Sequence, residues 1–292
     1  MNLKFIDLFA GIGGFHLALS DIGFECIFAS EIDETARRSY TKNFYHSSKK
    51  MFDNGLFNRD IYDLDTTLVP NFDLVCAGFP CQPFSQIGKK KGFEENLEGR
   101  GNLFFEIARI IEDKRPKAYL LENVQHLVKH DNGNTFNVIR NTLRNLRYTF
   151  DYKVIKAMDF NLPQRRPRTF MVGFNKDHVN NIPFQFPEPI PLQMTMSDVF
   201  GGDCTREVGF TLRVGGRSSP IDDRRNWDGY IVNGEQVRLK PEQGLLMQGF
   251  PKNFYLADSV AKSMKLLGNS VAVPVVKEIG KSIVKHLDTN NK

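Results

Sequence analysis

Short apolar runs alternate with longer amphipathic stretches along the chain as far as Asn175. The apolar runs predict β-strands over residues 3–9, 26–31, 72–78 and 118–122. The amphipathic stretches predict helices over residues 15–22, 34–43, 104–113 and 134–146. Strands that alternate with helices in this way form a mostly parallel sheet with helices on both faces. Two later runs, at residues 152–157 and 168–174, predict further strands that include a hairpin at one edge of the sheet.

The pattern changes after Asn175. Prolines interrupt regular structure over residues 183–191, and residues 201–234 are rich in Gly, Arg and Asp without a helical period. A helix is predicted to begin again at Pro241, where proline suits the first turn, and an apolar helix is predicted over residues 273–287. We therefore expect a larger α/β domain formed by residues 1–177 and 260–292, and a smaller irregular domain at residues 178–259.

Composition narrows the class of protein. The chain has 292 residues, of which 41% are hydrophobic and 25% charged, as is typical of globular proteins. Its apolar runs fall short of the roughly 20 residues that cross a bilayer, and no signal peptide is expected. The four cysteines lack a paired C-x-x-C spacing and the six histidines lack a ligand spacing, so we expect a cytoplasmic protein without a metal site. The net charge of +5 is compatible with a polyanionic partner, although a solvated basic surface gives the same value.

A glycine-rich loop follows the first predicted strand and opens the first predicted helix. Its sequence is Phe9-Ala10-Gly11-Ile12-Gly13-Gly14, and the free backbone N–H groups at such a helix start bind nucleotide-like ligands. Glu31 ends the next strand, 20 positions after Gly11, where an acidic side chain can hold both hydroxyls of a ribose. Both NAD and S-adenosylmethionine carry such a ribose, but the glycine spacing differs from the Gly-x-Gly-x-x-Gly of dinucleotide-binding folds. A tight turn without a ligand is the alternative for the loop taken alone.

Cys81 is the cysteine whose position favours chemistry. It follows the strand predicted over residues 72–78, behind Pro80, and precedes a basic, glycine-rich loop that extends to Gly101. The carboxyl ends of strands are where α/β sheets place ligands, whereas Cys26 and Cys76 fall within apolar periods typical of a core. We therefore predict that Cys81 is a nucleophile, activated by nearby cationic groups or backbone donors.

Glu122 ends another predicted strand, and so we expect it at the same edge of the sheet as Cys81. A buried glutamate with a raised pKa can donate a proton at neutral pH, although a helix-entry acid is the simpler alternative. The run from residue 164 to residue 168 starts a strand in which alternation places Arg166 and Arg168 on one face, with Arg165 outward. Two guanidinium groups on one face can brace a catalytic carboxylate or a substrate oxyanion.

In this order, the motifs resemble those of the DNA (cytosine-5)-methyltransferases of bacterial restriction-modification systems, over almost the whole chain. The matching segments are Phe9 to Gly14, Pro80-Cys81-Gln82, Glu122-Asn123-Val124, Gln164-x-Arg166-x-Arg168 and Gly268-Asn269-Ser270-Val271. The resemblance implies a Rossmann-like, S-adenosylmethionine-dependent methyltransferase domain with a small irregular target-recognition lobe. The catalytic residues that it implies are Cys81, Glu122, Arg166 and Arg168.

The resemblance also implies a cofactor pocket for S-adenosylmethionine, with S-adenosylhomocysteine as product and no metal. In that pocket Asp60 would accept a hydrogen bond from the adenine amino group, and Ile32 would lie against the adenine face. The full set of implied cofactor-binding residues is Phe9, Gly11, Gly13, Gly14, Glu31, Ile32, Asp60, Ile61, Pro80, Asn269 and Val271.

The implied reaction acts on a cytosine that has been flipped out of double-stranded DNA. Cys81 adds to carbon 6, Glu122 donates a proton near N3, and Arg166 helps to hold both the base and Glu122, so that carbon 5 accepts the methyl group. The residues predicted to bind DNA are Gln82, Ser85, Lys89, Arg100, Thr211, Arg213, Arg217, Arg224 and Arg225. Each of these arginines could contact a base or a phosphate, or could pair with an aspartate of the same lobe and be structural.

We expect a monomer whose methylation protects DNA from a cognate restriction endonuclease. The alternatives are methylation of RNA cytosine, a non-catalytic DNA-binding relative, and an NAD-dependent enzyme. The arginine-rich lobe favours DNA over RNA, and the joint presence of Cys81, Glu122 and Arg166 argues against a non-catalytic protein. The glycine spacing argues against NAD. The recognition sequence cannot be derived from the chain.

Overall fold

The computed structural model describes residues 3–80, 103–180 and 182–290. Its main sheet contains β1 (Lys4–Leu8), β2 (Glu25–Ser30), β3 (Phe57–Asn58), β4 (Leu74–Gly78), β5 (Ala118–Val124), β6 (Asp151–Lys156) and β7 (Pro167–Phe174), and a second sheet pairs β8 (Gly229–Val232) with β9 (Glu235–Arg238). The helices are α1 (Gly14–Ser20), α2 (Glu34–Phe44), α3 (Lys49–Asp53), α4 (Leu103–Lys114), α5 (Asn134–Asn145), α6 (Met196–Phe200), α7 (Pro241–Gln248), α8 (Val260–Asn269) and α9 (Val273–Asn290). Short 3₁₀ segments lie at Ile61–Asp63, Thr66–Leu68, Gln125–Gly133 and Ala157–Asp159.

The main sheet is mostly parallel, as the sequence predicts. Its strand order is β3-β2-β1-β4-β5-β7-β6. The first five strands in that order are parallel, whereas β7 runs antiparallel to both β5 and β6. The predicted pairing of two late strands at one edge is therefore confirmed. The carboxyl ends of β1, β2, β4 and β5 meet at one edge, where such sheets bind ligands.

Both faces of the sheet are buried because successive side chains of a strand point to opposite sides. Phe5 and Cys76 belong to the core on one face, which α1, α2 and α9 cover. Ile6 and Val75, one position along in their strands, belong to the core on the other face, which α4 and α5 cover. This arrangement leaves the edge with the carboxyl ends of the strands open for a site.

The larger unit combines the beginning of the chain with its late helices. α9 packs along α1, and a β-carbon at Gly280 would lie only 2.7 Å from the side chain of Leu19. An ion pair between Lys277 and Asp21 joins the same two elements. The chain from α8 onward thus completes the fold begun at β1.

Three features of the later region were not predicted, namely the β8–β9 hairpin, α8 and the short helix α6. The β8–β9 hairpin turns at Asn233 and Gly234, which have positive φ of 52° and 83°. An Asn-Gly pair of this kind is a strong hairpin marker, and the expectation of irregular chain up to residue 234 is wrong at this point. The second is α8, whose buried face contains Met264 and Leu267 but is short and is interrupted by lysines.

In the described ranges, no helix combines the length and the apolar character needed to cross a membrane.

Candidate active site

A cavity of about 360 Å³ lies at the carboxyl ends of β1, β2, β4 and β5. It brings together residues that are far apart in the sequence. Of the residues predicted to bind a cofactor, those that line it are Phe9, Gly11, Glu31, Ile32, Pro80 and Asn269. Of those predicted to be catalytic, Glu122, Arg166 and Arg168 line it.

The glycine-rich loop needs its glycines for two different reasons. Gly13 precedes α1 with a φ of 89°, and a β-carbon there would lie 2.3 Å from the ring of Phe44. Gly11 has a φ of 56° but has open space around the position of a β-carbon. Gly13 therefore permits packing of α1 against α2, whereas Gly11 leaves room on the cavity side.

Glu31 fixes the loop to the start of α2. Its carboxylate accepts hydrogen bonds from the N–H of Gly11 at 2.8 Å and from the N–H of Asp33 at 2.7 Å. Burial raises the pKa of Glu31, and the hydrogen bonds from these amides offset part of the rise. Asp33 in turn caps α2 by accepting from the N–H groups of Thr35 and Ala36. A carboxylate is thereby held in place beside the glycine loop.

Ile32 and Asp60 were both predicted to bind the cofactor, but only Ile32 lines the cavity. Ile32 lines the cavity with 61% of its surface exposed, which is unusual for a large apolar side chain. Asp60 does not line the cavity, and its carboxylate accepts a hydrogen bond from the N–H of Tyr62 at 3.0 Å. Ile61 is buried in the core. The cavity therefore reaches Ile32 and stops short of the Asp60 turn.

Gly14 and Val271 lie behind the cavity. A β-carbon at Gly14 would lie 2.6 Å from Val271, which is buried. The absence of a side chain at Gly14 thus lets the segment after α8 close against the glycine loop. Asn269, two residues before Val271, reaches the cavity wall.

Glu122 lies near the carboxyl end of β5, and its carboxylate is paired with Arg168. Arg168 Nε lies 3.0 Å from Glu122 Oε1, and both side chains are largely buried. Burial raises the pKa of Glu122, and the positive charges of Arg168 and Arg166 offset part of the rise. Such a carboxyl group can hold a proton at a pH where an exposed glutamate has lost it.

Arg166 has a different role from Arg168. It precedes β7, with a φ of 28°, so strand alternation does not explain its position. Its guanidinium donates to the carbonyl oxygens of Leu212 at 3.3 Å and Gly268 at 3.0 Å, and to that of Ser270. Burial lowers its pKa to about 9. Arg166 therefore connects three segments of the chain, while Arg168 contacts Glu122.

The predicted nucleophile, Cys81, lies outside the described residues. So do the predicted DNA-binding residues Gln82, Ser85, Lys89 and Arg100. Pro80, the residue before Cys81, lines the cavity. Cys26, Cys76 and Cys204 are buried and free of disulfides.

The predicted DNA-binding residues of the later region fall into two groups. Arg217 and Arg225 are ion-paired, with Asp228 at 3.4 Å and Asp223 at 2.7 Å. Arg213 and Arg224 are exposed, and their side chains form no hydrogen bond or ion pair with any described residue. Thr211 accepts a hydrogen bond from the backbone N–H of Arg166 at 3.1 Å.

Several residues of the cavity wall were not predicted. Asn123 donates a hydrogen bond to the carbonyl oxygen of Phe79 at 2.9 Å, which ties the end of β5 to the segment that leads to Cys81. Its place directly after Glu122 in a matching motif could have identified it. Nothing in the local sequence marks Leu103 or Leu266, which reach the cavity only through tertiary packing. Among the described residues, no group of three or more metal-binding side chains is present.

Comparison with known proteins identifies the family of the chain. The family model described as C-5 cytosine-specific DNA methylase matches residues 3–209 and 210–285. The type II methyltransferase M.HhaI of Haemophilus parahaemolyticus is 35% identical over 326 aligned positions, which cover 98% of this chain and 96% of the relative. The type II methyltransferase M.NgoBI of Neisseria gonorrhoeae is 38% identical over 304 positions, with 94% and 90% covered.

Solved structures share the fold. A mutant of DNMT2 from Spodoptera frugiperda superposes with a TM-score of 0.72 at 19% identity, covering 98% of this chain and 100% of that one. The methyltransferase EhMeth of Entamoeba histolytica gives a TM-score of 0.67 at 16% identity, covering 99% and 98%. Together with the family model and the two relatives, they lead to one conclusion: the chain belongs to the C-5 cytosine-specific DNA methylases and is a DNA (cytosine-5)-methyltransferase.

Proposed function

We propose that this chain methylates carbon 5 of a cytosine within a specific duplex DNA sequence, with S-adenosylmethionine as methyl donor and Cys81 as nucleophile. The main support is the cavity itself, because the glycine loop and Glu31 share it with Glu122 and Arg168. A cofactor and a base can therefore occupy adjoining parts of one space.

The residues present suit S-adenosylmethionine. Glu31 offers a fixed carboxylate for the ribose hydroxyls, and the open space beside Gly11 admits a ligand close to the main chain. The exposed side of Ile32 offers an apolar surface for an adenine ring. When bound, this cofactor supplies an electrophilic methyl group on a sulfonium. We assign its binding to the predicted set, in which Gly13, Gly14 and Val271 act by shaping the loop, and Asp60 and Ile61 by the turn next to it.

The remaining chemistry belongs to the side chains of the chain. The thiolate of Cys81 adds to carbon 6 of the cytosine, which makes carbon 5 nucleophilic. Glu122, whose pKa is raised by burial, donates a proton at N3 and stabilises the adduct. Arg168 orients Glu122, and Arg166 holds the segments that form the walls. After carbon 5 has accepted the methyl group, its proton leaves to solvent and the electron pair of the broken C–H bond expels the Cys81 thiolate, while N3 returns its proton to Glu122.

DNA binding falls to two regions in this proposal. Residues 178–259 form the target-recognition domain, and residues 1–177 with 260–292 form the catalytic and cofactor-binding domain. The target base must leave the duplex to reach the cavity, since its ring atoms are inaccessible within the stack. Besides Thr211 and the four arginines of the recognition domain, the DNA-binding residues are Gln82, Ser85, Lys89 and Arg100.

The biological setting follows from the type II methyltransferases that this chain resembles. We propose that it acts as a monomer in the bacterial cytoplasm, on double-stranded DNA. Its modification would protect that DNA from a cognate restriction endonuclease, a functional partner that need not bind the enzyme.

Trapping on a mechanism-based substrate tests this proposal. A duplex with 5-fluorocytosine at the target lacks the proton that must leave carbon 5, so the enzyme should remain attached to DNA after denaturation. Cys81→Ser should form no adduct but should still bind S-adenosylhomocysteine by calorimetry. An active preparation that forms no adduct would contradict covalent catalysis. Bisulfite mapping with duplex DNA and with tRNA as substrates decides between DNA and RNA.

A further inference from the structure

Within the recognition domain, hydrogen bonds hold the backbone in place at Leu212. The Leu212 N–H donates to Gln164 Oε1 at 2.8 Å, and the Leu212 carbonyl accepts from Arg166. Both partners are buried, and so is Leu212. The backbone at this point therefore has a fixed position relative to the residues that form the cavity wall.

The next residue, Arg213, lies directly against the cavity wall. A β-carbon at Gly268 would lie 2.7 Å from the carbonyl carbon of Arg213 and 2.8 Å from its oxygen. Gly268 lines the cavity, so only this one residue separates the backbone of Arg213 from the cavity.

A second anchor follows two residues later. The indole N–H of the buried Trp227 donates to the carbonyl of Gly215 at 2.8 Å. Between the anchors, Arg213 and Val214 are exposed, and Val214 exposes 51% of its surface.

The charge of Arg213 is available to a ligand. Arg217 and Arg225 are engaged by aspartates, and Arg206 lies over the ring of Phe210 at 4.2 Å. The Arg213 side chain forms no hydrogen bond or ion pair with the described part of the chain. Arg224 shares this property but is not held against the cavity wall, which makes it a matched control.

We propose that Arg213 reads a guanine in the base pair directly next to the target cytosine. This inference rests on the proposed function, in which the flipped cytosine enters the cavity. The base pairs nearest the cavity mouth are then those that flank the target. A guanidinium pairs with O6 and N7 of guanine through two hydrogen bonds, and a backbone that is held in place favours this precise geometry. The recognition sequence therefore contains a G·C pair adjacent to the methylated cytosine.

The experiment uses a library of duplexes in which the base pairs around a fixed cytosine are randomised. Wild type, Arg213→Ala, Arg213→Lys and Arg224→Ala methylate the library, and bisulfite sequencing reports the preference at each position. Wild type should require guanine, on either strand, at a flanking pair. Arg213→Ala should lower that preference about 5- to 150-fold at this pair and leave the other positions unchanged. Arg213→Lys should also relax it, because lysine lacks the bidentate geometry. Arg224→Ala should weaken binding to all sequences alike.

Three results would overturn the inference. The first is a recognition sequence without a flanking G·C pair. The second is a sequence preference of Arg213→Ala that equals that of wild type. The third is that Arg213→Ala loses DNA-binding affinity equally for all sequences, with the salt dependence of binding reduced by about one phosphate contact. Because Arg213 is exposed, Arg213→Ala should keep the thermal stability and S-adenosylhomocysteine affinity of wild type, and Arg213→Lys repeats the test with the charge retained. A wild-type enzyme that methylates no cytosine would instead contradict the proposed function itself.

Discussion

At the scale of single residues, Glu122 and Asp7 are both buried carboxyl groups with raised pKa values, but only Glu122 lines the cavity. Glu122 is paired with Arg168 and lines the cavity, so its proton is available to a substrate. Asp7, near the carboxyl end of β1, is fully buried and does not line the cavity. Burial raises the pKa of Asp7 well above its ordinary value, so this carboxyl group bears on the stability of the fold rather than on the reaction.

Asp7 should make stability depend on pH. A carboxyl group whose folded pKa is raised contributes stability that is complete below its unfolded pKa and is lost as the pH rises through the folded pKa. Wild type should therefore lose stability relative to Asp7→Asn with rising pH, by up to about 1.4 kcal/mol per pH unit within that window. Urea unfolding at a series of pH values measures this difference. Parallel curves for the two proteins would show that Asp7 is ionised in the fold.

Glu122 should determine how kcat falls at high pH, which is the high-pH limb of the pH–rate profile. Because its pKa is raised, the protonated form persists above the range of an ordinary glutamate, and kcat falls as the pH rises through that pKa. Glu122→Gln should lower kcat about 10²- to 10⁴-fold and abolish the limb. Arg168→Ala removes a charge that lowers this pKa, so the limb should move to higher pH, whereas Arg168→Lys should largely restore it. A limb that stays in place in Arg168→Ala would assign it to another group.

At the scale of elements, two glycines of the glycine-rich loop have different roles, since Gly13 is needed for packing and Gly11 leaves space beside the cavity. In Gly13→Ala the new methyl group would collide with Phe44, so the free energy of unfolding should fall by more than about 1 kcal/mol. Gly11→Ala meets no protein atom and should destabilise the fold less, but its methyl group would occupy the space where we place the cofactor. Thermal melts and calorimetry with S-adenosylhomocysteine compare the two variants. Equal losses of affinity and stability in both would argue against an open cofactor site beside Gly11.

The sequence predicts those elements whose pattern is local. Most strands of the main sheet are short apolar runs, and Glu31 and Glu122 lie at the ends of two predicted runs, which places both at the carboxyl edge. The helix α8 was missed because Lys262 and Lys265 interrupt its apolar stripe and Gly268 suggests a loop. The pairing of Arg217 with Asp228, across 11 residues, depends on the turn of the later region, and composition alone could not distinguish it from a DNA contact.

At the scale of the whole molecule, Gly268 is a point of close contact between α8 and the segment around Arg213. A methyl group in Gly268→Ala would press against the backbone of Arg213, which cannot move without breaking the hydrogen bonds at Leu212. We expect a loss of about 1 to 3 kcal/mol in the free energy of unfolding and weaker cofactor binding, because Asn269 is displaced as well. Gly244→Ala in α7 is the control, since its methyl group meets only the end of the Leu267 side chain. If both variants unfold alike and bind S-adenosylhomocysteine like wild type, the contact is not tight.

The packing of α9 on α1 also has a consequence for the order of synthesis. On a ribosome that adds 5 to 20 residues per second, the roughly 250 residues between these helices take about 12 to 50 s to translate. During that time the side of α1 against which α9 packs, which includes Leu19, lacks that cover. A nascent chain thus presents an apolar surface to chaperones for most of its synthesis. It gains the Asn269 wall of the cavity only when α8 has emerged, so a chain truncated before that point has an incomplete cavity.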